Sequence, residues 1–204
     1  YIGQSQTDNG ITLRLEYLIR DIDEEMYRKV SESRHDLSEE EARKIAKIIG
    51  LSAIKYGDLS NQASKDYVFD VDRFTSFEGN TGPYILYTIV RIKSLMNKVK
   101  AQGIEVKGEE AILPSQSKSQ TDVMLAVSKW AETIEAAFNE QAPHKICQFI
   151  YELSDAFNKF YHENKIVTNE DEKVRASYIA LSRFVGNVLE QGINLLGLEA
   201  PDKM

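Results

Sequence analysis

The sequence predicts an all-α protein, a helical bundle of five to six amphipathic helices, and three observations carry that expectation. Apolar residues recur at intervals of three and four along most of the 204 residues, the spacing that lines one face of a helix. Ser38 with Glu41 three residues on forms a capping-box pattern that marks a helix start. Gly197 followed by Pro201 marks a stop, because glycine closes a helix and proline cannot continue one. No repeat of fixed period is present, so a bundle is expected rather than a solenoid.

Taken in order, residues 11–30 carry Thr12, Leu13, Leu15, Leu18 and Ile22 at changing spacing and read as either strand or helix. From Ser38, a helix is expected to bury Ala42, Ile45, Ala46, Ile49 and Ala53 and to end at Gly57. Residues 58–79 lose the period, yet Tyr67, Val68, Phe69, Val71, Phe74 and Phe77 predict an ordered connector. After Asn80 the period returns. Ile85, Ile89, Ile92, Met96 and Val99 fall on a core face, and Tyr84, Tyr87, Arg91 and Lys98 share another, at steps of three, four and seven. Residues 103–120, with Gly103, Pro114 and a Ser/Gln/Lys cluster, read as an exposed loop. One helix is expected through Val123, Val127, Trp130, Ile134 and Ala137. Pro143 opens the next, which carries Ile146, Phe149, Ile150, Leu153, Phe157 and Phe160. The last turns Val174, Leu181, Val185, Val188 and either Leu195 or Leu196 inward.

Composition narrows the function. Apolar residues make up 42% and charged residues 28%, with stretches far short of a bilayer span, so no membrane helix is expected. A single cysteine, Cys147, fits a reducing compartment and a cytoplasmic location. The chain opens on Tyr1 with no basic-then-apolar leader, so no signal peptide is expected. A net charge of −7 argues against a nonspecific nucleic-acid binder that works by neutralising phosphates, and no DNA partner is expected, but it leaves local binding open. Locally the balance reverses: between Gly79 and Ile104 there is no carboxylate, while Arg91, Lys93, Lys98 and Lys100 are basic. Such a run is also what a solvated helix face looks like.

No catalytic pattern emerges. His35, His144 and His162 are scattered, and tetrahedral zinc needs converging N or S ligands, so no metal site is expected. Cys147 lies three residues from His144, but a small apolar residue beside the core stripe explains it as well. Neither GxxxxGK[ST] nor GxGxxG occurs. The acidic runs at residues 21–25 and 39–41 read as solvated helix surface rather than acid/base pairs. What remains is an aromatic and basic set: Tyr84, Tyr87 and Arg91 on one helix, and Tyr151, Asn158, Tyr161 and His162 on another. Such residues stack on unpaired bases and hydrogen-bond their edges, or else cover a core with a wet hydroxyl outermost.

Three blocks resemble a known family. Ile54-Lys55-Tyr56-Gly57-Asp58-Leu59-Ser60, Tyr67-Val68-Phe69-Asp70 and Ser76-Phe77-Glu78-Gly79-Asn80-Thr81-Gly82-Pro83-Tyr84, with Tyr87 and Arg91, are similar to the C-terminal part of arginyl-tRNA synthetases. So are the block from Ala142-Pro143-His144-Lys145 to Phe157-Asn158-Lys159-Phe160-Tyr161 and the end from Asn194 to Met204. The resemblance implies a class I ligase divided here into residues 1–76, the tail of the catalytic region with its connector, and residues 77–204, a DALR-type anticodon-binding helical domain. It implies arginine tRNA and the enzyme's own catalytic domain as partners, and ATP with Mg as the full-length enzyme's requirements. Carried over, Tyr84, Tyr87, Arg91, Tyr161 and Met204 are the expected tRNA-binding residues; Asn158 joins them from the aromatic and basic set, and Lys98 with Lys93 and Lys100 as phosphate contacts. The family's His-x-Gly-His and Lys-Met-Ser-Lys-Ser signatures are missing, and Gln6 to Gly10 stands where the second would pass, without its basic residues. This chain alone is therefore expected to be non-catalytic. An alternative is a helical interaction or scaffold module of the same descent.

Overall fold

The computed structural model of the chain describes residues 14–108 and 111–204, and every regular element within them is a helix. In order these are α1 (Leu15–Ser33), α2 (Glu39–Leu59), α3 (Val71–Phe74), α4 (Gly82–Ala101), α5 (Lys118–Ser128), α6 (Trp130–Asn139), α7 (Pro143–Glu163) and α8 (Glu172–Leu195). The all-α expectation holds, but the count exceeds five to six for two reasons. The helix expected through Ala137 breaks at Lys129 into α5 and α6, and the connector holds one helical turn, α3.

The strand-or-helix segment is helical from Leu15, while residues 11–13 lie outside the described residues, as does the Gln6–Gly10 stretch. Ile22, Met26 and Val30 form the buried stripe of α1 at steps of four. Of the described apolar residues that left the reading open, Leu15 is exposed and only Ile22 is fully buried, which is why their spacing is irregular. In α2 both halves of the Ser38–Glu41 capping box form, and Glu39, Glu40 and Glu41 place negative charge at the positive end of the helix dipole. Gly57 does not end α2. The helix runs on to Leu59, and a Cβ at Gly57 would meet the Phe74 ring at 2.7 Å, so the glycine serves close packing rather than termination.

Phe74, buried and stacked on Phe69 with ring centres 4.6 Å apart, orders the connector as expected, while Val68 points outward. The Thr81 hydroxyl caps α4 by accepting the Tyr84 N–H, and Pro83 lies in its first turn. Residues 118–120 of the expected loop begin α5 instead, with Ser119 and Gln120 buried. Gly197, at φ +68°, closes α8: its N–H reaches the Asn194 carbonyl and the Leu198 N–H reaches the Ile193 carbonyl. Leu196 is the inward residue and Leu195 the exposed one. The break at Lys129 swings α6 so that Trp130 stacks on Phe149, 5.1 Å between ring centres, and donates to Gln191 Oε1. Ile134 then faces outward rather than extending the core stripe.

α1 and α2 pair as a hairpin, α2 lies on α4, and α4, α7 and α8 pack against one another, with α5 and α6 laid on α7. One apolar core runs through all of this, from Ile22 to Leu198. Tyr56 on α2, fully buried, ties α2 to the turn before α4 and to α7: its hydroxyl lies 2.6 Å from Asn80 Oδ1 and 2.8 Å from the Cys147 carbonyl oxygen. The last residues return along the same surface. Lys55 donates to the Gly197 carbonyl, Lys93 to the Ala200 carbonyl, and Arg34 to the terminal Met204, while Lys203 pairs with Glu41.

Candidate nucleic-acid interface

The packing of α4 against α7 brings five of the expected residues into one cluster. Tyr84, Tyr87 and Arg91 stand on successive turns of α4, and Asn158 and Tyr161 face them from α7. Arg91 Nη1 donates to Asn158 Oδ1, and Arg91 Nη2 donates to the Tyr87 hydroxyl at 3.1 Å. The guanidinium lies over two rings, with its carbon 4.8 Å from the centre of Tyr87 and 5.1 Å from that of Tyr161. His162 Nε2 is 3.5 Å from Nη1. Asn158 extends its amide nitrogen the other way, to the Tyr84 hydroxyl at 3.0 Å and to Thr88 Oγ1 at 2.9 Å. Tyr84 in turn donates to Asp155 Oδ1 at 3.5 Å and packs against the Tyr151 ring.

Arg91 has no carboxylate partner among the described residues; its contacts are two aromatic faces, an amide oxygen, a hydroxyl and an imidazole. A guanidinium is a planar donor fork, the geometry that matches a phosphate or a base edge, and rings beside it limit its motion. Tyr87, 41% exposed, offers its ring at the surface. Burial pushes the Tyr84 phenol above its ordinary pKa, and Asp155 and Tyr151 add to the shift, so Tyr84 stays a neutral hydroxyl that donates and accepts.

Lys98 and Met204 are placed apart from this cluster. Lys98 is exposed seven residues further along α4, about 10 Å along the axis on the same stripe. Met204 sits on Arg34, whose guanidinium also grips Asp36 through two hydrogen bonds of 2.7 Å. Lys93 corrects the sequence expectation, because it is committed to Glu190 on α8 and to the returning C-terminal segment through the Ala200 carbonyl and the Asp202 carboxylate. Thr88 and Asp155 complete the cluster without being singled out from the sequence, where only helical spacing ties them to its other members. Thr88 lies four residues after Tyr84 and three before Arg91, and Asp155 three before Asn158.

Elsewhere, Cys147 is fully buried and burial pushes its thiol up to about 12, which keeps it protonated and inert. No group of three or more His, Cys, Asp or Glu side chains converges among the described residues. No helix among them is long and apolar enough to cross a membrane.

Comparison with known proteins gives the family and the fold. Residues 85–204 match the family described as DALR anticodon binding domain, and residues 3–71 match tRNA synthetases class I (R), catalytic domain. Arginine–tRNA ligase of Agathobacter rectalis is 52% identical over 98% of this chain and 34% of its own length, and that of Maricaulis maris is 39% identical over the same shares. The chain thus spans about a third of the length of the curated relatives it matches. Among solved structures, Thermus thermophilus arginyl-tRNA synthetase superposes with a TM-score of 0.83 at 21% identity, over 97% of this chain and 33% of that one. Arginyl-tRNA synthetase of Plasmodium falciparum superposes with a TM-score of 0.79 at 24% identity, over 94% and 34%. At those identities the likeness establishes a shared fold. With the first family match covering more than half of its residues, the chain belongs to the DALR anticodon-binding domain family.

Proposed function

We propose that the chain is the tRNA-binding C-terminal part of an arginine–tRNA ligase, which receives the anticodon loop of arginine tRNA so that a catalytic domain in the rest of the enzyme charges the 3′ end. Residues 1–76 are the tail of the catalytic region and its connector, and residues 77–204 are the anticodon-binding domain. ATP and Mg act in the catalytic domain, and the enzyme works in the cytoplasm. The observation that carries the reading is Arg91, a cation without a carboxylate partner held between the rings of Tyr87 and Tyr161. Unpaired bases are read by aromatic stacking and by arginine or amide hydrogen bonds, each stacked base contributing about 1–3 kcal/mol. Asn158 supplies the amide, and Tyr84 a hydroxyl. Lys98 and Lys100, exposed and outside any ion pair among the described residues, supply phosphate contacts. Met204 belongs to the tRNA-binding set as the end of the segment that Lys93 holds against α4.

Titration of the chain with arginine tRNA transcript, against the same transcript with a changed central anticodon base, tests this at two salt concentrations. Few cations are available, so log affinity should fall with log salt at a slope of only about −2, at ~0.7 per phosphate. The anticodon preference should survive the higher salt. Binding that ignores the anticodon and vanishes with salt would overturn the reading. It would favour a helical interaction module of the same descent, for which Phe138, 82% exposed on α6, and Leu125, 60% exposed on α5, are the supporting observation.

A further inference from the structure

We propose that Thr88 is a positioning residue that sets the direction of the Asn158 amide and, through it, the pose of Arg91. The inference rests on the anticodon reading and extends it to a residue that touches no ligand. Thr88 is fully buried on α4, and Asn158 is nearly so on α7. An asparagine side chain presents an oxygen on one side and an NH2 on the other, and only the oxygen accepts from a guanidinium. Which way it points depends on what meets the far side.

Two hydroxyl oxygens meet it there, Thr88 Oγ1 at 2.9 Å and Tyr84 Oη at 3.0 Å. A hydroxyl can donate or accept, so their presence alone leaves the amide free to flip. Their protons, however, are already used. Thr88 donates to the Tyr84 carbonyl one turn back at 3.1 Å, and Tyr84 donates to Asp155 Oδ1. Both oxygens are left as acceptors, which suits the amide NH2 and turns Asn158 Oδ1 toward Arg91 Nη1. Flipped, the nearly buried amide would set its N–H groups against the N–H groups of Arg91, while both hydroxyls would abandon their present acceptors. Thr88 is the interior link of the chain: Tyr84 can trade its partner for solvent, whereas among the described residues the Thr88 hydroxyl bonds only to the Tyr84 carbonyl and the Asn158 amide.

Thr88→Val keeps the shape and removes the hydroxyl, and Thr88→Ser restores the hydroxyl. Each 204-residue variant is titrated with the cognate transcript and with the transcript changed at the central anticodon base. The NMR signal of the Arg91 Nε–H and the thermal midpoint are followed alongside. Thr88→Val is expected to lower anticodon discrimination by about tenfold, the scale of one hydrogen bond made by a charged group. It should also shift and broaden the Arg91 signal, with Thr88→Ser within about twofold of wild type in discrimination. Wild-type discrimination in Thr88→Val, or an equal loss for both transcripts with the Arg91 signal unmoved, would overturn the proposal. A wild-type chain that fails to discriminate overturns the anticodon reading instead, and the Arg91 signal in Thr88→Val against Thr88→Ser then decides the positioning role by itself.

Discussion

Arg91→Ala is expected to weaken binding of arginine tRNA transcript by about 10- to 100-fold, or about 1–3 kcal/mol, while binding of transcripts with other anticodons falls much less. The asymmetry follows from the site. A cation whose contribution was long-range attraction to phosphate would weaken every transcript alike. Arg91 instead lies over two aromatic rings with Nη1 bound to Asn158, and in the proposed reading that fixed pose meets a base edge at a defined place. Arg91→Lys should recover little, because an ammonium keeps the charge but lacks the planar, stacked fork. Paired titrations of wild type and variant with cognate and altered transcripts read the effect directly. Equal losses across transcripts would reduce Arg91 to a phosphate contact.

Phe157→Ala is expected to cost about 3–5 kcal/mol of stability, read as a lower urea midpoint. Phe157 is fully buried in the middle of α7, with ring centres 6.3 Å from Phe160 and 6.2 Å from Tyr161. Removing it opens a cavity where α7 meets the shared core. It also takes away the support beneath Tyr161, one of the two rings that hold Arg91, so tRNA binding should suffer even where the variant remains folded. Because one core continues from α1 to the C-terminal segment, unfolding should proceed as a single transition by circular dichroism and by tryptophan fluorescence. Separate transitions by the two probes would show that α1–α3 and the helices after them are not one cooperative unit.

Legibility in the sequence followed the range of the interaction. Helix starts and stops made by neighbours along the chain were readable, as with the Ser38–Glu41 box and the Gly197 closure. The Tyr84, Tyr87 and Arg91 stripe was readable because helical spacing alone puts those side chains on one face. Gly57 was misread because a glycine serving close approach to Phe74 looks, in one dimension, like a glycine ending a helix. Lys93 was misread for a similar reason. It shares a basic run with Lys98 and Lys100, and only the return of the C-terminal segment across α4 reveals that its charge is already engaged. Thr88 was passed over because its role depends on an amide seventy residues away, and nothing local distinguishes it from a threonine bonded back to its own helix.

The most direct measurement places a fluorescent analogue of the central anticodon base, one that keeps that base's hydrogen-bonding edge, at the central anticodon position of arginine tRNA transcript and follows its emission as the 204-residue chain is added. A base drawn from the loop onto the Tyr87–Arg91–Tyr161 cluster stacks on an aromatic or guanidinium face. Emission should therefore be quenched in step with binding, and the quench should be lost in Arg91→Ala. Binding with unchanged emission, or a quench that persists in Arg91→Ala, would contradict recognition of the anticodon at this site.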